Sequence, residues 1–215
     1  MSIEHHPPDP MLAAFAAGTL DHGQHIAIAT HLVACPHCRR FVHSVEKVGG
    51  AVLEGLAPAT MSKGALAAIE ARLNEPARVV ARPVPASPET DALGLPAFVR
   101  RYRFGPWKWI APAVHVRRIE LPYASDTRVF LLKSGPGTKM LQHTHTGIEM
   151  TCVLSGAFRQ EGAHYGPGDF DLGDETIDHQ PVVELGQDCI CLVAMLGDLQ
   201  LKGLIGRVVQ PFIRL

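Results

Sequence analysis

Residues 137–156, GTKMLQHTHTGIEMTCVLSG, decide how the second half of this 215-residue chain folds. In an extended strand, His143 and His145 point to the same side, because successive side chains alternate between the two faces. A turn at Thr146–Gly147 lets Glu149 return to that side. Imidazoles and a carboxylate together suit a metal ion in a β-barrel pocket. The stretch therefore predicts a metal site carried by neighbouring strands.

The sequence around this stretch has the pattern of a small barrel. From about Trp107 onwards, short runs rich in Val, Ile, Leu and Phe alternate with Gly, Pro and Asp turns. Many short strands at this spacing indicate a jelly roll or small barrel. Gly166–Asp169, which reads GPGD, predicts a tight turn, and His179 follows on a later strand.

These residues resemble the two motifs of the cupin superfamily. The resemblance implies one metal ion held by His143, His145, Glu149 and His179. The second motif departs from the family pattern, since the usual Asn is absent and residues 181–183 read PVV; that Asn is not usually a ligand. The donor types alone can hold zinc, iron, manganese, nickel or copper, so they do not select the ion.

A second metal motif, His31-x3-Cys35-x2-Cys38, lies within the run THLVACPHC. On a helix, the first two of these residues share one face, and the CxxC turn can bring both sulfurs onto one ion. Thiolate and imidazole ligands are typical of a closed tetrahedral zinc site, which needs a fourth ligand. His5 or His6, in an arm before the first helix, can supply it. A redox CxxC is the alternative, and the lack of a βαβ context argues against it.

The chain divides into two differently patterned halves. Residues 1–74 have helical periodicity and predict about four helices. Residues 75–96 contain five prolines, too many for a helix, and predict an extended linker. We therefore expect an α + β protein of two domains, with a helical zinc bundle at 1–74, a linker at 75–96 and a cupin β-barrel (jelly roll) at 97–215.

Three runs in the first half closely resemble the ChrR-type zinc-binding anti-sigma factors: HHPPDPMLAAFAAGTL, THLVACPHC and VGGAVLEGLAP. The resemblance implies His6, His31, Cys35 and Cys38 as zinc ligands, with His6 preferred over His5. It also implies that the N-terminal helices insert between the two domains of a cytoplasmic, extracytoplasmic-function-type sigma factor. There they block its access to RNA polymerase.

The functional hypothesis is accordingly a regulatory protein and not an enzyme. The resemblance implies release of the sigma factor in response to oxidative stress such as singlet oxygen, sensed through the cupin domain.

Leu12 and Phe15 are candidate partner-binding anchors, with packing against the helices behind them as the alternative. Cys189 and Cys191 share one face of a strand and are a candidate redox-sensing pair, with two buried apolar residues as the alternative. Zinc is the implied cofactor at both sites, and iron, manganese or nickel stay open for the cupin site.

The alternative function is a metal-dependent cupin dioxygenase acting on a small dicarbonyl or thiol, with the helices as a docking appendage. A net charge of −1 argues against direct binding to nucleic acid. The sequence has no run of about 18 apolar residues and no signal-peptide pattern, so we expect no membrane span and a cytoplasmic protein. We expect a monomer that forms a one-to-one complex with its sigma factor.

Overall fold

The computed structural model describes residues 3–73, 75–76, 93–122 and 125–202. Its first half contains four α-helices, as predicted: α1 (Asp9–Ala16), α2 (His22–Ala34), α3 (Pro36–Glu54) and α4 (Ala65–Leu73). Among the described residues, no helix combines the length and the apolar character that a membrane crossing requires.

Local sequence signals explain where α2 and α3 begin. The carboxylate of Asp21 accepts a hydrogen bond from the backbone N–H of Gln24 at 2.9 Å, and the Gln24 side chain accepts one from the N–H of Asp21 at 3.3 Å. This capping box starts α2. Pro36 starts α3, where a missing N–H costs nothing. The break between the two helices places Cys35 and Cys38 at the beginning of α3.

The second half begins with a short 3-10 helix, Val99–Arg101, and continues as antiparallel β-structure. The strands are β1 (Arg103–Ala111), β2 (Val114–Glu120), β3 (Thr127–Ser134), β4 (His143–His145), β5 (Glu149–Ser155), β6 (Phe158–Gln160), β7 (Ala163–Tyr165), β8 (Phe170–Gly173), β9 (Val182–Val183), β10 (Cys189–Leu196) and β11 (Leu199–Leu201). The main sheet has the order β1-β2-β3-β10-β5-β8, and β11-β4 and β7-β6-β9 form smaller sheets.

Strand β10 lies near the middle of the main sheet and is buried on both faces. Cys191 and Val193 belong to the core inside the barrel, whereas Leu192 and Ala194 belong to a second core on the outer face of the sheet. Helix α2 covers that outer face, packing against β10, β5 and β3. Its Ile26 is 1% exposed. The helical half and the barrel therefore share one apolar core.

The predicted domain boundaries stay predictions, because most of the expected linker lies outside the described residues. Leu95, at the C-terminal end of that linker, is only 5% exposed and belongs to the shared core. The barrel half therefore begins to pack at or before this residue.

Close packing of α2 on the sheet predicts that Gly23 tolerates no side chain. A Cβ at this position would lie 2.7 Å from Cγ2 of Thr127, at the start of β3. We expect Gly23→Ala to lower the free energy of unfolding by about 1–3 kcal/mol, as overpacking does. Differential scanning calorimetry measures the change.

Gly49→Ala is the matched control. Gly49 lies inside α3, and a Cβ added there would meet no atom within 4 Å, so alanine is expected to stabilise the helix by about 0.5–1 kcal/mol. Equal stability of the two variants would show that α2 does not rest on the sheet in solution.

Candidate metal centres

The structure brings His6, His31, Cys35 and Cys38 together, with one ligand atom of each within 4.8 Å of the others. The last turn of α2 carries His31, and Cys35 and Cys38 flank the start of α3. The Nε2 of His31 lies 3.3 Å from the Sγ of Cys38. The Nδ1 of His6 lies 3.4 Å from both sulfurs. We call these four residues the helical cluster.

Burial sets the ionisation of the helical cluster. Burial raises the pKa of the Cys38 thiol to about 12, with the neighbouring Cys35 adding to the effect. Burial also lowers the pKa of His31 to about 4. Neutral imidazoles can donate their lone pairs to a cation, and a cation in turn stabilises the thiolates. Two sulfurs and two nitrogens around one point therefore fit a closed tetrahedral metal site.

Neighbouring histidines lie outside the helical cluster. The ring of His5 stacks on Tyr165 at 4.0 Å, and its Nε2 lies 3.0 Å from the carbonyl oxygen of His164. His37, inside the CxxC turn, is exposed, and its ring centre lies 5.3 Å from that of His6. Of the two histidines weighed for the fourth position, it is His6 that reaches the sulfurs.

In the barrel, the Nε2 atoms of three histidines converge. The Nε2 of His179 lies 2.9 Å from that of His143 and 3.2 Å from that of His145. The other ring nitrogen of His143, Nδ1, lies 2.7 Å from the carbonyl oxygen of Leu141. The Nδ1 of His179 lies 2.7 Å from the side-chain oxygen of Gln160. These contacts leave the Nε2 lone pairs free for a metal ion. We call the three residues the barrel cluster.

Glu149, the fourth predicted barrel ligand, lies beside this cluster and not within it. Its Oε2 lies 3.9 Å from the Nδ1 of His145, and its Oε1 accepts a hydrogen bond from Thr151 at 3.2 Å. Burial, followed by the nearby Asp171 carboxyl, raises the pKa of Glu149 to about 7. A bound cation would favour its ionised form.

Burial keeps the barrel histidines neutral. It lowers the pKa of His145 and of His179 to about 4, and neighbouring imidazoles add to the effect. It lowers the pKa of His143 as well. Three neutral nitrogens and a carboxyl group are donors that suit several transition metals.

The barrel cluster opens onto a cavity of about 680 Å³. Its walls are largely apolar and include Phe130 and Leu132, while Glu149 and Asp171 add carboxyl groups. A cavity of this size and lining is typical of a small-molecule pocket. The barrel therefore offers a chamber in which a metal ion and a small molecule can meet.

Cys189 and Cys191 line the same cavity, as their alternation along β10 predicts. Both are buried, and their sulfurs lie 3.7 Å apart. The hydrogen bond with the neighbouring Cys189 thiol, together with burial, raises the pKa of Cys191. The structure thus places two thiols side by side in the wall of the chamber.

Leu12 and Phe15, the two candidate partner anchors, are covered to different degrees by other residues of the protein. Leu12 is 2% exposed and belongs to the shared core. Phe15 is half-buried and stacks on His25 at 4.2 Å. For Leu12 the structure favours the alternative of packing within the protein.

Sequence reasoning missed the residues that orient the ligands. Gln160 holds the ring of His179, and the carbonyl oxygen of Gly168 lies 2.8 Å from the Nδ1 of His31. The GPGD run predicts a turn. However, no sequence pattern predicts that this turn lies beside His31, which is 137 residues away in the chain.

A helical His/Cys cluster joined to a barrel with three convergent histidines defines a protein with a helical half and a cupin-like barrel. Residues 98–198 match the family described as ChrR Cupin-like domain. The chain is 38% identical over 218 residues to the anti-sigma-E factor ChrR of Cereibacter sphaeroides, covering 100% of both sequences. The chain therefore belongs to the ChrR family of anti-sigma factors.

A solved structure agrees with this assignment. A chain in the crystal structure of Rhodobacter sphaeroides SigE in complex with the anti-sigma ChrR is similar over 92% of this chain and 100% of its own length, with a TM-score of 0.73 and 34% identity. An RmlC-like cupin protein from Ralstonia eutropha JMP134 is similar over 46% of this chain and 68% of its own, with a TM-score of 0.41 and 23% identity. The predicted α + β class, with a helical first half and a cupin-like second half, is confirmed.

We expect the double variant Cys35→Ser/Cys38→Ser to lose one equivalent of bound metal, because a serine hydroxyl does not replace a thiolate ligand. Inductively coupled plasma mass spectrometry of the purified protein measures the loss. His37→Ala is the control, since His37 shares the turn but is not in the helical cluster. Retention of all metal by the double variant would rule out the helical cluster as a metal centre.

Proposed function

We propose that this chain is an anti-sigma factor that binds an extracytoplasmic-function-type sigma factor through its helical half. It releases that factor under oxidative stress such as singlet oxygen. A relative of 38% identity over the full length is named an anti-sigma factor, and the similar crystal structure contains SigE together with ChrR. We place the protein in the cytoplasm, as a monomer in a one-to-one complex, without direct contact to nucleic acid or membrane.

The regulatory role, rather than an enzymatic one, follows from membership of a family of anti-sigma factors. A cupin dioxygenase with a docking appendage was the alternative. It gives no reason for the exposed apolar side chains at the C-terminal end of the helical half.

The observation that carries the proposal is the uncovered apolar segment 48–73. It holds eight of the twelve large apolar side chains that are exposed among the described residues. Helix α4 has no buried residue, and its Leu66, Ile69 and Leu73 are 69%, 51% and 78% exposed. Their spacing places them on one face of the helix. An amphipathic helix of this kind binds in a hydrophobic groove of a partner.

A zinc ion at the helical cluster is part of the proposal, with His6, His31, Cys35 and Cys38 as ligands. When bound, it supplies a structural cross-link and no chemistry. These residues would tie the N-terminal arm to the junction of α2 and α3, a small module whose own core is limited.

The barrel is the proposed stress receptor. We assign its metal, zinc or else iron, manganese or nickel, to His143, His145, Glu149 and His179. Imidazoles and thiols both react with singlet oxygen, and we take the barrel cluster and the Cys189–Cys191 pair, which line the cavity, as the candidate targets. The two thiols can lose two protons and two electrons to molecular oxygen, giving a disulfide and hydrogen peroxide. Alternate residues of a strand lie about 6.7 Å apart, the upper end of the Cα distance for a disulfide, so this bond would strain β10.

We expect Ile69→Glu to weaken binding of the sigma factor by tenfold or more, because a buried interface anchor contributes about 2 kcal/mol. Isothermal titration calorimetry with the purified sigma factor measures the dissociation constant. Ala71→Glu, on the opposite face of α4, is the matched control and is expected to bind like the wild type. Because α4 is exposed, neither variant should change the melting temperature. Equal affinities of the two variants would remove α4 from the interface.

The receptor role predicts that His143→Ala binds the sigma factor normally but no longer releases it. Illumination of the purified complex with a photosensitiser generates singlet oxygen, and gel filtration measures dissociation. His115→Ala, on β2 and outside the barrel cluster, is the control and should dissociate like the wild type. Unchanged dissociation of the His143→Ala complex would separate the barrel cluster from sensing.

A further inference from the structure

We propose that the barrel supplies part of the helical metal centre: Gly168 and Asp169 are positioning residues for the ligands His31 and His6. The GPGD turn, residues 166–169, is then the place where the two halves of the protein jointly build one site. The inference rests on the proposed metal at the helical cluster and does not depend on the sigma factor.

The contact to His31 defines the tautomer of a ligand. Its Nδ1 lies 2.8 Å from the carbonyl oxygen of Gly168, and both groups are buried. A carbonyl oxygen can only accept, so Nδ1 carries the proton. The Nε2 of His31, which lies 3.3 Å from the Sγ of Cys38, is therefore unprotonated and free to bind a metal. A second hydrogen bond of this kind commonly orients a metal-bound histidine and increases its basicity.

Asp169 holds the arm that carries His6. Its carboxylate is buried, with 4% of the residue exposed. One oxygen accepts hydrogen bonds from the backbone N–H groups of Glu4 and His5, at 2.8 and 2.9 Å, and the other accepts one from Gly166 at 2.8 Å. Hydrogen bonds to a carboxylate are stronger than those between neutral groups. The residue after this double contact is His6.

Two further contacts keep the arm on the barrel. The backbone N–H of Phe170 donates to the carbonyl oxygen of His5 at 3.1 Å. The His5 ring stacks on Tyr165. His6 itself is exposed, and the arm brings its Nδ1 to within 3.4 Å of both sulfurs.

Gly168 is required where arm, turn and α2 meet. Its φ of +92° disfavours any other residue, and a Cβ would lie 2.7 Å from Cδ1 of Ile3 and 3.1 Å from Cβ of Ala34. Ala34 is the last residue of α2, one before Cys35. The turn is thus packed directly against the segment that carries the cysteines.

The turn also continues into the barrel cluster. Strand β8 begins at Phe170, directly after Asp169, and ends at Gly173. A Cβ on Gly173 would lie 3.0 Å from the Nε2 of His145. The distance along the strand from Asp169 to Gly173, which lies against His145, is four residues or about 13 Å. Strand β8 therefore connects the turn that holds the arm to the barrel cluster.

The test measures how fast Cys35 and Cys38 of the full-length protein are alkylated by iodoacetamide in the presence of a zinc chelator, read peptide by peptide by mass spectrometry. Loss of an outer hydrogen-bond partner commonly costs a metal site 10–100-fold in affinity. We expect Asp169→Ala and Glu4→Pro to raise the alkylation rate at least tenfold. Glu4→Pro removes one N–H donor to Asp169 and changes no residue of the barrel turn.

Glu4→Ala is the matched control, because it removes an exposed side chain but keeps the N–H, and it should react like the wild type. Added zinc should restore slow alkylation in Glu4→Pro if the substitution only lowers the affinity of the helical cluster for zinc. A misfolded site would stay fast to alkylate. Unchanged alkylation in both Asp169→Ala and Glu4→Pro would overturn the proposal. Fast alkylation of the wild type even with zinc present would instead reject the metal at the helical cluster itself.

Discussion

The packing of α2 on the outer face of the main sheet is the contact on which the rest of the structure depends. Strand β10 is apolar on both faces, so the face turned away from the barrel must be covered. Helix α2 packs on this face, and its Ile26 and Ile28 are 1% and 0% exposed. This packing fixes the end of α2, and with it His31, against the turn that precedes β8. The position of the helical cluster is therefore a consequence of covering a sheet.

The two clusters use burial in different ways. In the helical cluster, burial raises the pKa of Cys38 to about 12, so the free Cys38 thiol stays protonated and a cation is needed to make its thiolate form favourable. In the barrel cluster, burial lowers the pKa of His145 and His179 to about 4, so neutral donors are already present. The first arrangement suits a structural ion, and the second suits a site that also admits small molecules through its cavity.

The sequence predicts which candidate ligands lie together better than it predicts the groups that orient them. Strand periodicity places His143 and His145 on one face, and the helix-to-turn spacing of THLVACPHC places His31 beside the cysteines, because both depend on neighbours in the chain. The carbonyl oxygen of Gly168 orients His31. Every residue has such a carbonyl, so the sequence does not show which one contacts a histidine.

Amphipathic patterns have a similar limit. An apolar helix face can be recognised in the sequence, but the pattern does not predict which surface packs against it. Leu12 lies in the core, whereas the apolar residues of α4, with the same kind of spacing, are uncovered. Only the tertiary contacts separate a helix that packs within its own protein from one that is free for a partner.

The uncovered side chains of α4 have a consequence for the amount of protein a cell can carry. Exposed apolar side chains that no partner shields promote self-association. Molecules made in excess over the sigma factor would then aggregate or be degraded, while those in complex persist. Matched synthesis of the two proteins follows as a requirement of surface chemistry, independent of any regulatory need.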